Sequence, residues 1–197
     1  MTWMLRSLCA CACAWLLCLP AAAQESNGCP EGSYSVVTSP DGTTLSILFS
    51  QFNIASRMNA LSGAQRKVCH IASPLNLPAA HSIGVYKVDY RGFAKLAAKQ
   101  EAGLAVQYFL GPHDNEHGRV FKRKIKGPHE NDYLFTENIG AGQMKRVGCG
   151  ATAMLDVSIE LSLDGDRRAG EALASLDTTD AAPGAALVYH LNLKKCT

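Results

Sequence analysis

Tryptophan, a charge excess and a membrane-length apolar run are all missing from the body of this chain. Both tryptophans, Trp3 and Trp15, fall in the first 23 residues, so the remainder has no indole to form a flat sugar-stacking platform, although six tyrosines remain. Dropping Arg6 with that segment leaves 18 of the 19 basic side chains against 17 acidic ones. Such a balance supplies no field to draw the protein to nucleic acid or to a membrane surface. The longest apolar stretch, Leu8 to Leu19, stops at Pro20 and runs into polar Gln24, Glu25, Ser26 and Asn27. An anchor needs about 20 unbroken apolar residues, so no membrane span is expected once this segment is gone.

What is present at the N-terminus has the three parts of an export signal: Arg6, the apolar stretch, and the small-residue exit Ala21-Ala22-Ala23. Cleavage is expected after Ala23, giving a signal peptide over 1–23 and a single secreted domain over 24–197. A lipid anchor on Cys18 is the weaker alternative, because bulky Leu17 stands where such sites take a small residue. Four of the eight cysteines leave with the signal, and Cys29, Cys69, Cys149 and Cys196 remain. An even number in an exported chain argues two disulfides. Three pairings are open. Cys29 with Cys69 and Cys149 with Cys196 is favoured, since each closes a loop of roughly 40–50 residues and constrains the unfolded chain by about 4 kcal/mol. No two of the four have the C-x-x-C spacing of zinc sites.

Alternation of apolar and polar residues dominates the rest. Leu155, Val157, Ile159, Leu161 and Leu163 alternate with Asp156, Ser158, Glu160 and Ser162, the pattern of a strand buried on one face. The same period appears at Leu45-Ile47-Phe49, Tyr86-Val88-Tyr90, Leu104-Val106-Tyr108 and Leu187-Tyr189-Leu191-Leu193. Further strands are expected at 34–38, 67–72, 119–125 and 133–136. Turn formers such as Ser39-Pro40-Asp41-Gly42, Gly127-Pro128 and Asp164-Gly165-Asp166 separate them. Many short strands with frequent turns predict a mainly β fold, an antiparallel β-sandwich of jelly-roll-like or Greek-key type stapled by two disulfides. Helix is a competing expectation at 93–102, where a continued strand is the alternative, and at 167–176, both rich in Ala, Leu and charge. Residues 177–186 read as a flexible loop.

No residue pattern commits the chain to a reaction: there is no Gly-x-Ser-x-Gly elbow, and the cysteines serve better as disulfides than as thiolates. His113 and His117 flank Asp-Asn-Glu, but Gly111, Pro112 and Gly118 make this a loop, so no metal is assigned to it. Asp156 and Glu160, the best carboxylate pair on one strand, stand roughly 13 Å apart, beyond glycosidase spacing. Asp164-Gly165-Asp166 lacks the spacing of a calcium loop. No cofactor and no metal is expected. The basic run at Lys122, Arg123, Lys124 and Lys126 puts Lys122, Lys124 and Lys126 on one strand face, as an anion-binding surface or a charged edge that discourages aggregation.

Several elements together resemble one family, the secreted proteins known as domain of unknown function 4360. They are Gly28-Cys29-Pro30, Leu45-x-Ile47-x-Phe49-Ser50-x-Phe52, Arg66-Lys67-x-Cys69, Asp89-Tyr90-Arg91-Gly92-Phe93, Cys149-Gly150, and Tyr189-x-Leu191-x-Leu193 before Cys196. The resemblance implies secretion, a β-rich fold and paired cysteines, and no activity. Asp89 and Arg91, two apart on a strand, share a face on which they either meet a ligand, or pair with each other or cap a bend at Gly92. The leading expectation is a non-catalytic extracellular domain that binds a protein or an anionic glycan. A hydrolase of wall or matrix polymers and a secreted protease inhibitor are the alternatives.

Overall fold

The computed structural model describes residues 28–56, 65–77, 80–111, 118–150, 153–176 and 186–196. The export segment, the His113–His117 loop and residues 177–185 lie outside them. Twelve strands are described: β1 (Tyr34–Thr38), β2 (Thr44–Phe49), β3 (Asn53–Ser56), β4 (Gln65–Leu75), β5 (His81–Leu96), β6 (Gln100–Leu110), β7 (Arg119–Lys126), β8 (His129–Asn138), β9 (Arg146–Gly148), β10 (Ala153–Gly165), β11 (Ala172–Ser175) and β12 (Leu187–Lys195). No α-helix occurs among the described residues, and none is there to cross a membrane.

The strands form two antiparallel sheets packed as a sandwich. One runs β1-β2-β12-β5-β11-β3, with β8 and β9 also pairing with β5; the other runs β4-β10-β6-β7. Strand β5 organises the first sheet, pairing along one side with β12 and β11 and along the other with β9 and β8. The period-two residues meet between the sheets: Leu155, Val157, Ile159 and Leu161 of β10 join Leu45, Ile47, Val88 and Leu187 in one buried cluster. Their removal from water drives the two layers together.

Both disulfides form in the favoured pairing, Cys29–Cys69 and Cys149–Cys196. The first ties the chain ahead of β1 to β4, and so links the two sheets; the second ties the end of β9 to the end of β12.

Three expectations need correction. Residues 93–102 are not helical: β5 runs to Leu96, a turn follows, and β6 starts at Gln100. Residues 167–176 form a short 3-10 turn, Arg167–Ala169, and then β11. The alanines of these stretches that lie in strands are buried at the sheet interface, with Ala94, Ala102, Ala172 and Ala174 at 5 % exposure or less. Close packing there overrides a weak helix preference. Tyr86 does not join Val88 and Tyr90 in the core but is 43 % exposed. The register between β5 and β12 slips at His190/Leu191, where His190 pairs with Lys87 and Leu191 with Val85. The skipped Tyr86 is turned outward by this bulge.

Candidate functional site

The lysine run lies on β7, at the edge of the second sheet, with Lys122, Lys124 and Lys126 exposed on the outer face. Acids answer them across the sheet. Lys124 Nζ is 2.6 Å from Glu101 Oε1, and this hydrogen bond raises the lysine pKa. On the same face of β10, two strands away from β7, Glu160 bridges Arg66 at 2.8 Å. Arg123 turns to the opposite face, its guanidinium 4.5 Å over the Phe121 ring. A basic run in the sequence therefore becomes a mixed-sign surface, in which only Lys122 and Lys126 of the three lysines lack a partner among the described residues.

Asp89 and Arg91 do share a face, but they do not pair with each other among the described residues. Asp89 is 5 % exposed and has three partners. Thr136 Oγ1 donates to its Oδ1 at 2.7 Å, while His190 Nε2 and Lys87 Nζ reach Oδ2 at 2.8 and 3.0 Å. Those residues lie on β8, β12 and β5, so Asp89 ties three adjacent strands together, and both of its oxygens are engaged within the sheet. The Arg91 Nε is buried without an acceptor among the described residues. The adjoining Gly92 leaves room for Tyr133 to donate from its hydroxyl to the Ser175 carbonyl at 2.7 Å.

Burial alone would raise the Asp89 pKa, but the bonds from Thr136, His190 and Lys87 and the Lys87 charge outweigh it, and hold it at about 2 against an ordinary 3.8. A depressed acid stabilises the fold fully above its unfolded value near 4, and that contribution is lost as pH falls through 2. Melting temperature should accordingly drop between pH 4 and pH 2, and drop less steeply in Asp89→Asn. Parallel curves for the two proteins would contradict this assignment.

The site that sequence reasoning missed lies between the sheets, where β6 and β7 face β5 and β8. Arg119 and Glu137 occupy the inward phase of β7 and β8, alongside Phe121 and Phe135. Glu137 Oε1 accepts from Arg119 Nε at 2.5 Å, and Oε2 accepts from the Tyr90 hydroxyl at 2.9 Å. Arg119 Nη2 reaches Gln143 Oε1 at 3.4 Å. Beside them opens a cleft of about 200 Å³, with Val85, Leu110 and Ile139 as apolar wall and Tyr108, Arg119, Gln143 and Lys145 as polar lining. Burial first, then the Glu137 charge, raises the Tyr108 pKa, so its hydroxyl stays a donor. Two oppositely charged residues on the apolar phase of two strands consecutive in the chain, which fold into opposite sheets, were a readable signal, because an inward charge needs an inward partner.

A second hollow of about 230 Å³ lies nearer β4 and β12, with Leu75, Leu77, Ile83 and Leu191 beneath Ser39 and Asp41. Asp41 is bound by Ser39 and by the Thr43 amide and hydroxyl. Asp164 and Asp166 close a turn through the amides of Gly165 and Arg168. Among the described residues no group of three or more His, Cys, Asp or Glu could hold a metal ion.

An uncharacterized secreted protein of Arthroderma benhamiae is 25 % identical over 172 residues, covering 86 % of this chain and 68 % of that protein. The protein is secreted, in keeping with its two disulfides. Residues 22–196 match the model of the family described as Domain of unknown function (DUF4360), and the chain belongs to that family.

Proposed function

We propose that this is a non-catalytic extracellular binding domain whose ligand sits in the cleft between the sheets. The observation that carries the reading is the lining of that cleft: an arginine held by a partly buried glutamate, a lysine and a glutamine, with no carboxylate on the wall among the described residues. Polymer hydrolysis by paired acids needs two carboxyl groups roughly 5–9.5 Å apart across a substrate. Among the described residues the second hollow has a single acid, Asp41, already bound by three donors. Fixed donors beside apolar wall suit recognition of a negatively charged group.

Incubation of the secreted protein with a panel of extracellular polysaccharides, proteins and small acids, with retention and released products both measured, tests this. Retention without new reducing ends or peptides is the expected result, weakened by Lys145→Gln. Product release that rises with protein concentration would replace the binding reading with the hydrolase.

Lys122 and Lys126 favour a second reading, in which an anionic glycan lies along β7. They stand roughly 13 Å apart on one strand face. Retention of this kind would fade as salt shortens the screening length from about 10 Å at 0.1 M to 3 Å at 1 M, and would be lost on changing both lysines to alanine.

A further inference from the structure

The two disulfides differ in what surrounds them. Cys29 and Cys69 are 1 % and 0 % exposed and belong to the main core, whereas Cys149 is exposed and Cys196 half-buried. Beside Cys149 the surface is open: a Cβ added at Gly150 would meet nothing within 4 Å. A disulfide that an attacking thiolate can reach is the labile kind, while a sealed one opens only as the fold around it opens. The exposed bridge also closes over strained backbone. Cys149 holds φ at 58° and Ala80 at 54°, the left-handed region that residues with a Cβ rarely adopt. The Cys149 N–H donates to the His81 carbonyl at 3.1 Å and the Cys196 N–H to the Ala80 carbonyl at 2.8 Å, so both cysteines are bonded to the entry of β5.

At this end of the sandwich lie the second hollow and a small apolar cluster separate from the main core, Ile83, Val147 and Ala153, with Leu75, Leu77 and Leu193 packed against it. Arg146 fastens β9, β5 and β12 through Ser82 and Asn192. Past Asn192, the end of β12 is tied covalently to the end of β9 by the bridge. We infer that Cys149–Cys196 is a thiol-sensitive latch over this hollow, which a small thiol opens while Cys29–Cys69 stays closed. Two thiols supply two electrons and two protons: the S–S bond breaks, Cys149 and Cys196 become free thiols, and the reductant leaves as its own disulfide. The left-handed residues then relax, the end of β12 frays as far as Arg146 allows, and Leu193 moves off Leu75, Leu77 and Ile83.

Secreted protein held in stepped concentrations of reduced glutathione, then alkylated and digested for mass spectrometry, reports each pair separately. Cys149 and Cys196 should take the label at a thiol concentration roughly tenfold or more below that needed for Cys29 and Cys69. In the selectively reduced protein, and in Cys149→Ala/Cys196→Ala without thiol, the amides of residues 193–196 should exchange with solvent roughly tenfold faster, while those of Val157 and Ile159 keep their protection. Fluorescence of an anilinonaphthalene sulfonate dye should rise in both as the hollow is uncovered. Ala80→Gly removes one strained residue without touching sulfur, and should raise the thiol concentration for half-reduction about fivefold. All four cysteines labelling together would overturn the latch. So would label confined to Cys149 and Cys196 with exchange and dye fluorescence unchanged, because the bridge would then be a staple that covers nothing. An Ala80→Gly reduction curve lying on that of the wild type overturns the part given to strain.

Discussion

With both disulfides removed by Cys29→Ala/Cys69→Ala and Cys149→Ala/Cys196→Ala, the domain is unfolded or nearly so at neutral pH and room temperature. The two bridges span 40 and 47 residues, and closing loops of that length constrains the unfolded chain by about 4 kcal/mol each. The loops do not overlap, so the contributions add to roughly 8 kcal/mol, against a total stability of about 5–15 kcal/mol for an ordinary domain. Each pair removed alone should lower the melting temperature by roughly 8–16 °C. Far-ultraviolet circular dichroism during heating measures all three variants. A four-cysteine variant that melts cooperatively close to the wild type would mean that the sheet interface suffices without the staples.

Alanine at Gly92 should cost about 3 kcal/mol, a large effect for one methyl group. An added Cβ would stand 2.0 Å from the Ser175 carbonyl oxygen and 2.4 Å from the Tyr133 hydroxyl. Neither neighbour yields easily. Ser175 is backbone of β11, which pairs with β5 over only three residues, and Tyr133 is 8 % exposed with its hydroxyl committed to that same carbonyl. The methyl group therefore lifts β11 from β5 or breaks the Tyr133–Ser175 bond. Urea unfolding of Gly92→Ala, Tyr133→Phe and the double variant separates the two: the double variant should cost less than the sum of the singles, because both remove one hydrogen bond. A Gly92→Ala midpoint indistinguishable from the wild type would show that β11 moves aside freely.

This geometry also explains the Asp-Tyr-Arg-Gly-Phe element that carried much of the family resemblance. Asp89 ties β5 to β8 and β12, Tyr90 stacks on Phe121 across the sandwich at 4.0 Å, and Gly92 makes way for the Tyr133 bond. Much of its distinctiveness is structural. The arginine alone is without an assigned task, its Nε unpartnered among the described residues. Arg146, which no sequence pattern singled out, holds β9, β5 and β12 together through Ser82 and Asn192.

By itself, the order of residues was enough to read the β class, most strand positions and the favoured cysteine pairing. Period-two hydrophobicity and loop length are local properties of a chain, and they need no partner to be read. Only the tertiary structure decided which way Tyr86 turns, that alanine-rich stretches become strands, that Lys124 is answered by Glu101, and that Asp89 bonds to His190, 101 residues away. The cleft belongs to this second group, because Tyr108, Arg119, Glu137 and Gln143 come from separate segments that only sheet packing brings within bonding distance.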